Sequence, residues 1–138
     1  MQNTSRGRKS PIVIGESDHA RLASLAGAIA ARSEELADTL EAELDRARVI
    51  PDRRVPFNVI RIGSSAVWRT EKGDERRGTL VLPADADISV GKVSVLTPVG
   101  IALLGLSPGQ SMEWTARDGR LHALTVLTVE GAASVNAQ

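Results

Sequence analysis

Two adjacent carboxylates, Glu34 and Glu35, follow Ser33 where the helical pattern of the first half of the chain breaks and restarts. Paired acids at the tip of a rigid projection supply hard oxygen ligands, and could help hold a divalent ion. The same residues also fit a plainer role, as first-turn acids at the positive end of a helix capped by Ser33. His19 and His122 are the only histidines. Neither has a nucleophile motif or metal-ligand spacing beside it, and both read as surface side chains. Asp85-Ala86-Asp87 puts two acids on one loop, a pattern that more often makes a turn than a metal site. There is no Walker loop and no dinucleotide fingerprint, and Gly100 and Gly105 fit helix packing and capping rather than a phosphate cradle. These residues predict no catalytic group, metal or cofactor belonging to the chain itself.

The richer signal is one of contact. In the stretch from Val95 to Gly105, Thr97 can cap a helix and Pro98 sits at its first position, where a missing N–H costs nothing. One apolar turn follows, and Gly105 suits a left-handed stop. Val99 and Gly100 are too apolar and too small for an ordinary solvated turn. A β-rich domain that displays a short, capped, apolar helix presents it to a partner.

The elements that must position these residues divide near Pro51. Residues 1–10 are polar and basic, and read as a disordered tail. Ile12 to Ile14 form a short strand or anchor. Ser17 or Asp18 can cap a first helix on which Leu22, Leu25, Ala26 and Ile29 share a face. A second helix follows Ser33, with Ala37, Leu40, Leu44 and Ala47 at heptad-like spacing. Together they make a two-helix arm that Pro51 ends. Its seam is thin, with only a few large side chains worth roughly 1.5–3 kcal/mol each, so the arm must lean on the rest of the protein. Asp38, Glu41, Glu43 and Asp45 read as a solvated helix face, and the arginines at 46, 48, 53 and 54 as the contacts that hold the arm's base to the sheet.

After Pro51 the period becomes that of strands, expected over 57–62, 66–70, 79–82, 92–95, 111–117 and 121–129, with a hairpin turn at Arg117-Asp118-Gly119-Arg120 and a frayed tail over 131–138. The class is α+β: a short antiparallel helical hairpin (11–52), then a curved antiparallel β domain with one short helix (53–130).

Composition narrows the possible functions. The chain has 138 residues, enough for one compact domain and a smaller element. Positive and negative side chains balance, 17 against 17, so nothing calls for nucleic acid or a membrane surface. No cysteine is present, which suits a reducing cytoplasm. No apolar run approaches the ~20 residues of a membrane span. Phe57, Trp68 and Trp114 are the only aromatics, a poor supply for base stacking or a proline-ring pocket.

The run Ala84-Asp85-Ala86-Asp87-Ile88, then Gly91-Lys92-Val93-Ser94-Val95, Thr97 to Gly105 and Pro108-Gly109-Gln110 resembles the C-terminal domain of Gre-type transcription factors. Thr97 stands where that family has serine, and Gln110 where it has aspartate. Leu36 to Ala47, read with Thr97-Pro98-Val99-Gly100 and Leu103-Leu104-Gly105-Leu106, is similar to a branch of the family named for regulation of nucleoside diphosphate kinase, which pairs this domain with a short arm. The resemblance implies an FKBP-like C-terminal domain that docks on RNA polymerase at the rim of the secondary channel. It places the contact on Thr97, Pro98, Val99 and Gly100, with Ile101 and Leu104 shared between core and contact and Asp85 and Asp87 on the preceding loop. A first helix over 17–31 would reach about 22 Å at ~1.5 Å per residue. That is far less than a Gre arm, so Glu34 and Glu35 should fall short of the polymerase's catalytic magnesium. Three readings follow: a monomeric polymerase-binding regulator without strong cleavage stimulation, a true transcript-cleavage factor, or, from the fold alone, a peptidyl-prolyl isomerase.

Overall fold

The computed structural model describes residues 10–116 and 118–130. The expected tails, except for Ser10, lie outside the described residues, as does Arg117 of the expected hairpin turn.

The arm is built as β1 (Val13–Gly15), α1 (Glu16–Ile29), α2 (Glu34–Arg46) and β2 (Arg48–Ile50). Strands β1 and β2 run parallel, with Val13 opposite Arg48, Ile14 opposite Val49 and Gly15 opposite Ile50. Helix α2 begins as its sequence dictates: the Ser33 hydroxyl accepts from the Leu36 N–H at 3.4 Å, and Ala37, Leu40 and Leu44 are buried. It ends at Arg46 because the next residues are drawn into pairing with β1, so Pro51 follows a strand rather than a helix.

Helix α1 starts ahead of both expected caps. Gly15 precedes it without a capping side chain. The carboxylate of Asp52 takes that role instead, accepting from the Ser17 N–H at 2.9 Å and from the Ser17 hydroxyl. A Cβ on Gly15 would lie 2.7 Å from Asp52 Oδ1, so the approach needs glycine at that position.

The base holds β3 (Ser65–Thr70), β4 (Glu75–Val81), β5 (Lys92–Ser94), α3 (Pro98–Leu103), β6 (Ser111–Thr115) and β7 (Leu121–Glu130). They form one sheet in the order β5-β4-β3-β7-β6. Every pair is antiparallel except β4 with β5. Two single turns of 3-10 helix, Pro83–Asp85 and Ile88–Val90, carry the chain back to start β5 in the direction of β4.

The strand expected over Phe57–Ile62 is an irregular segment. Val59 N–H donates to Pro56 O at 3.1 Å, which closes a turn. Ile60 then exchanges bonds with the chain that leaves α3: its N–H donates to Leu106 O and its C=O accepts from Gly105 N–H. The apolar residues here are plugs into the core, not one face of a strand; Val59 and Ile60 are buried while Phe57 is 80% exposed.

Arm and base share one hydrophobic core, in which Leu22 and Leu40 of the arm join Ile60, Leu80, Leu106 and Leu124 of the base. The arm does lean on the domain, as its thin seam requires.

Candidate functional site

The turn that opens α3 forms as its residue types dictate. The Thr97 hydroxyl accepts from Gly100 N–H at 3.0 Å and donates to Ser94 O at 2.8 Å, while Pro98 occupies the first helical position. Gly105 ends it at φ 79°. Pro98 is exposed, and Thr97 and Val99 are half-buried. Gly100, Ile101 and Leu104, which the sequence grouped with them, are buried. Gly100 is a packing residue: a Cβ there would sit 2.1 Å from Ser94 O. Ile101 and Leu104 face inward because a six-residue helix against a sheet has only one solvent-facing edge, and Pro98 takes it.

Pro98 and Val99 form a wall of a groove enclosing about 690 Å³, whose floor includes Trp68, Trp114, His122 and Val93. The rings of His122 and Trp114 stack, centroids 5.6 Å apart at 21°. His122 Nδ1 lies 3.4 Å from Glu71 Oε2, and Glu71 Oε1 accepts from Ala123 N–H at 2.9 Å. That backbone donor, more than the imidazole, holds the Glu71 carboxyl below its ordinary range. Two of the three aromatics therefore converge on one groove.

Asp85 and Asp87 lie on the exposed loop before β5. Asp87 makes the turn expected of it: Oδ1 accepts from the Ser89 hydroxyl at 2.6 Å and from Ser89 N–H at 3.1 Å. The hydroxyl contact chiefly holds its carboxyl below the ordinary value. The residues just after it, Ile88 and Val90, are 80% and 64% exposed, and Ile88 also lines the groove. Sequence reasoning passed over both. The available signal was two β-branched apolar residues, two apart, in a loop of small and acidic residues with no predicted face to bury them.

Glu34 and Glu35 are exposed in the first turn of α2. Ser33, Glu35 and Leu36 line one wall of a second cleft of about 410 Å³, and Pro98, Trp114 and Thr115 line another. The arm thus lies alongside the base, its tip level with the α3 turn. No group of three or more metal-ligating side chains occurs among the described residues.

Several polar residues hold the arm in this position, and the sequence had assigned some of them elsewhere. Glu43 is buried, not part of a solvated face. Its Oε1 accepts from Arg46 Nε at 3.0 Å, while Arg46 Nη1 donates to Ser10 O at 2.7 Å. Arg46 does hold the arm's base; Arg48, Arg53 and Arg54 are exposed. Asp18 is buried on α1 and accepts from Ile62 N–H at 3.1 Å. His19, half-buried, places Nε2 3.2 Å from Leu44 O, linking α1 to α2.

Comparison with known proteins agrees with both halves of the chain. Residues 55–131 match the model of the transcription elongation factor GreA/GreB C-terminal family, and residues 10–50 match that of the Rnk N-terminus. The regulator of nucleoside diphosphate kinase of Escherichia coli is 38% identical over 120 residues, covering 86% of this chain and 88% of that protein. The transcription elongation factor GreA of Flavobacterium johnsoniae is 34% identical over 83 residues, 59% of this chain and 52% of that protein. A solved structure, a prokaryotic transcription elongation factor GreA/GreB from Nitrosomonas europaea, superposes with a TM-score of 0.68 at 37% identity, covering 86% of this chain and 98% of the other. An elongation-factor base carrying an arm of this particular type places the chain in the regulator of nucleoside diphosphate kinase branch of the GreA/GreB family.

Proposed function

We propose that this chain is a non-enzymatic, monomeric, cytoplasmic regulator that docks on RNA polymerase at the rim of the secondary channel and leaves the catalytic centre untouched. The observation that carries the reading is the exposed Pro98 edge beside Ile88 and Val90, around a groove floored by Trp114 and His122. The charged lining of the groove is mixed, Glu71 and Asp74 with Lys72, Arg76 and Lys92, so its exposed apolar side chains suit the apolar centre of a protein partner's surface.

The arm supports the second half of the reading. Helix α1 has 14 residues, about 21 Å at ~1.5 Å per residue, and the arm lies along the base rather than clear of it. Glu34 and Glu35 are then too near the docking surface to reach a metal deep in the enzyme, where two-metal chemistry would need them. Occupying the doorway excludes longer channel factors. An effect on nucleoside diphosphate kinase, which the E. coli relative's name mentions, would act here through transcription.

The test is a pull-down with core polymerase, repeated with a longer channel factor as competitor. Val99→Asp or Ile88→Asp should weaken capture about tenfold or more, the equivalent of ~1.4 kcal/mol, while the competitor displaces the wild type. Dinucleotide release from a backtracked complex addresses the cleavage reading. Clear stimulation that disappears in the Glu34→Ala, Glu35→Ala double variant would make the chain a true cleavage factor.

A further inference from the structure

Strand β6 ends the sheet, and its free side opens into the cleft of about 410 Å³ that separates it from α2. Val126 N–H donates to Gln110 O and Ala116 N–H to Arg120 O, so the even-numbered residues of this stretch bond to β7. By alternation, Ser111, Glu113 and Thr115 turn their N–H and C=O groups away from the sheet. Ser111 is answered there by Ser10: its C=O accepts from Ser10 N–H at 3.3 Å, and its N–H donates to the Ser10 hydroxyl at 3.1 Å. Among the described residues, no backbone partner meets Glu113 or Thr115 on that side.

The two faces of the strand ask for different side chains. Met112 and Trp114 lie on the core face, and Leu36 of α2 lines the cleft with them. Glu113 lies on the other face, and its Oε1 is buried with no hydrogen-bond partner. An oxygen in that state carries a desolvation cost that a cationic donor would remove. The charged side chains lining the cleft are all carboxylates, Glu35 and Glu43 besides Glu113, and Arg46 already pairs with Glu43. Neighbouring residues of a strand point to opposite faces, and directly opposed residues of a pair share one. A basic residue opposite Glu113, with an apolar residue before and after it, therefore matches both faces at once.

We infer that the open edge of β6 receives an extended segment of a protein partner, added as a strand between β6 and α2, with a basic residue paired to Glu113 and an apolar residue on each side of it. Main-chain bonds supply the affinity, and the Glu113 carboxylate with the apolar wall supplies the selectivity. A second copy of this chain does not fit, because pairing through the same edge puts its β7 where α2 stands. The cleft shares Pro98, Trp114 and Ala116 with the larger groove, but its acidic lining and open ladder carry the inference without the polymerase reading.

An NMR titration of the full chain with a capped pentapeptide, Thr-Val-Arg-Val-Thr, tests this. At saturation the Glu113 and Thr115 amides should exchange about tenfold slower or more than in the free protein, while the Leu124 and Val126 amides stay as they were. Glu113→Gln should weaken the peptide about tenfold. Glu113→Arg should instead favour the same peptide with glutamate in place of its arginine, a reversal that misfolding cannot produce. No slowing at Glu113 and Thr115 overturns the inference. So does equal binding of a backbone-N-methylated peptide or of arginine amide alone, either of which would make the cleft a cation site without a strand. Slow exchange of both amides before any peptide is added also overturns it, since the edge would already be covered.

Discussion

Asp52 caps α1 from outside the helix: across 35 positions of sequence, its two carboxylate oxygens accept from the backbone N–H and the hydroxyl of Ser17. One half-buried residue thereby joins the start of the arm to the segment that leaves it. The hydroxyl contact, then the backbone one, holds the Asp52 carboxyl below its ordinary value. A carboxyl whose folded value is depressed stabilises the fold above its unfolded value, and that stabilisation is lost as pH falls through the folded one. Asp52→Asn should therefore lower the melting temperature at neutral pH by on the order of a few degrees. Variant and wild type should converge on acidification below about pH 4, which a pH series of thermal melts would show.

Asp18 performs a related task in a drier place. Asp18→Ala leaves the Ile62 N–H without its acceptor beneath α1 and should cost about 2 kcal/mol. Urea titration reads this as a lower midpoint with an unchanged slope. Asp18→Asn, which retains an acceptor oxygen, should cost less.

Gly100→Ala tests the split of the α3 turn into interior and surface. The added methyl meets Ser94 O and should destabilise by roughly 3 kcal/mol through backbone displacement. Ile88→Asp, at a site 80% exposed, should leave the melting temperature within about a degree of wild type while weakening polymerase capture. A Gly100→Ala protein as stable as wild type would mean that the turn is looser than its packing indicates.

Leu40→Ala examines how far the arm depends on the shared core. Leu40 is fully buried, and the truncation should cost about 2–5 kcal/mol. A single unfolding transition, seen alike by far-UV circular dichroism and tryptophan fluorescence, is expected, since Trp68 and Leu40 belong to the same cluster. Two separate transitions would make the arm an independent folding unit.

What could be read from the chain alone was local. Ser33 before two acids, Thr97-Pro98 before an apolar turn and Gly105 after it are capping signals that act within four residues, and each formed as its chemistry dictates. Leu22, Leu40 and Leu44 announced the buried stripe by helical spacing. What escaped was set by distance in sequence. Asp52 displaced Ser17 as the cap because the fold brings it there. The buried Glu43 read as surface because its partner Arg46 shares its helix face while the base covers both. Phe57–Ile62 read as a strand because apolar density marks burial and does not distinguish a plug from a ladder. Of the proposed docking surface, the sequence singled out Pro98 and Val99; it did not single out Ile88 and Val90, since their exposure is known only once the loop has a place.

The parallel pairing of Val13–Gly15 with Arg48–Ile50 has a consequence for the lineage. Entry and exit of the arm are stitched side by side, and the part of it beyond the shared core, around the 30–34 tip, is the part that can vary. Whole helical turns inserted symmetrically at that tip would lengthen the arm while leaving Leu22 and Leu40 in place against the base. The same base could then carry a longer or a shorter arm, its length set by the number of turns between the two strands.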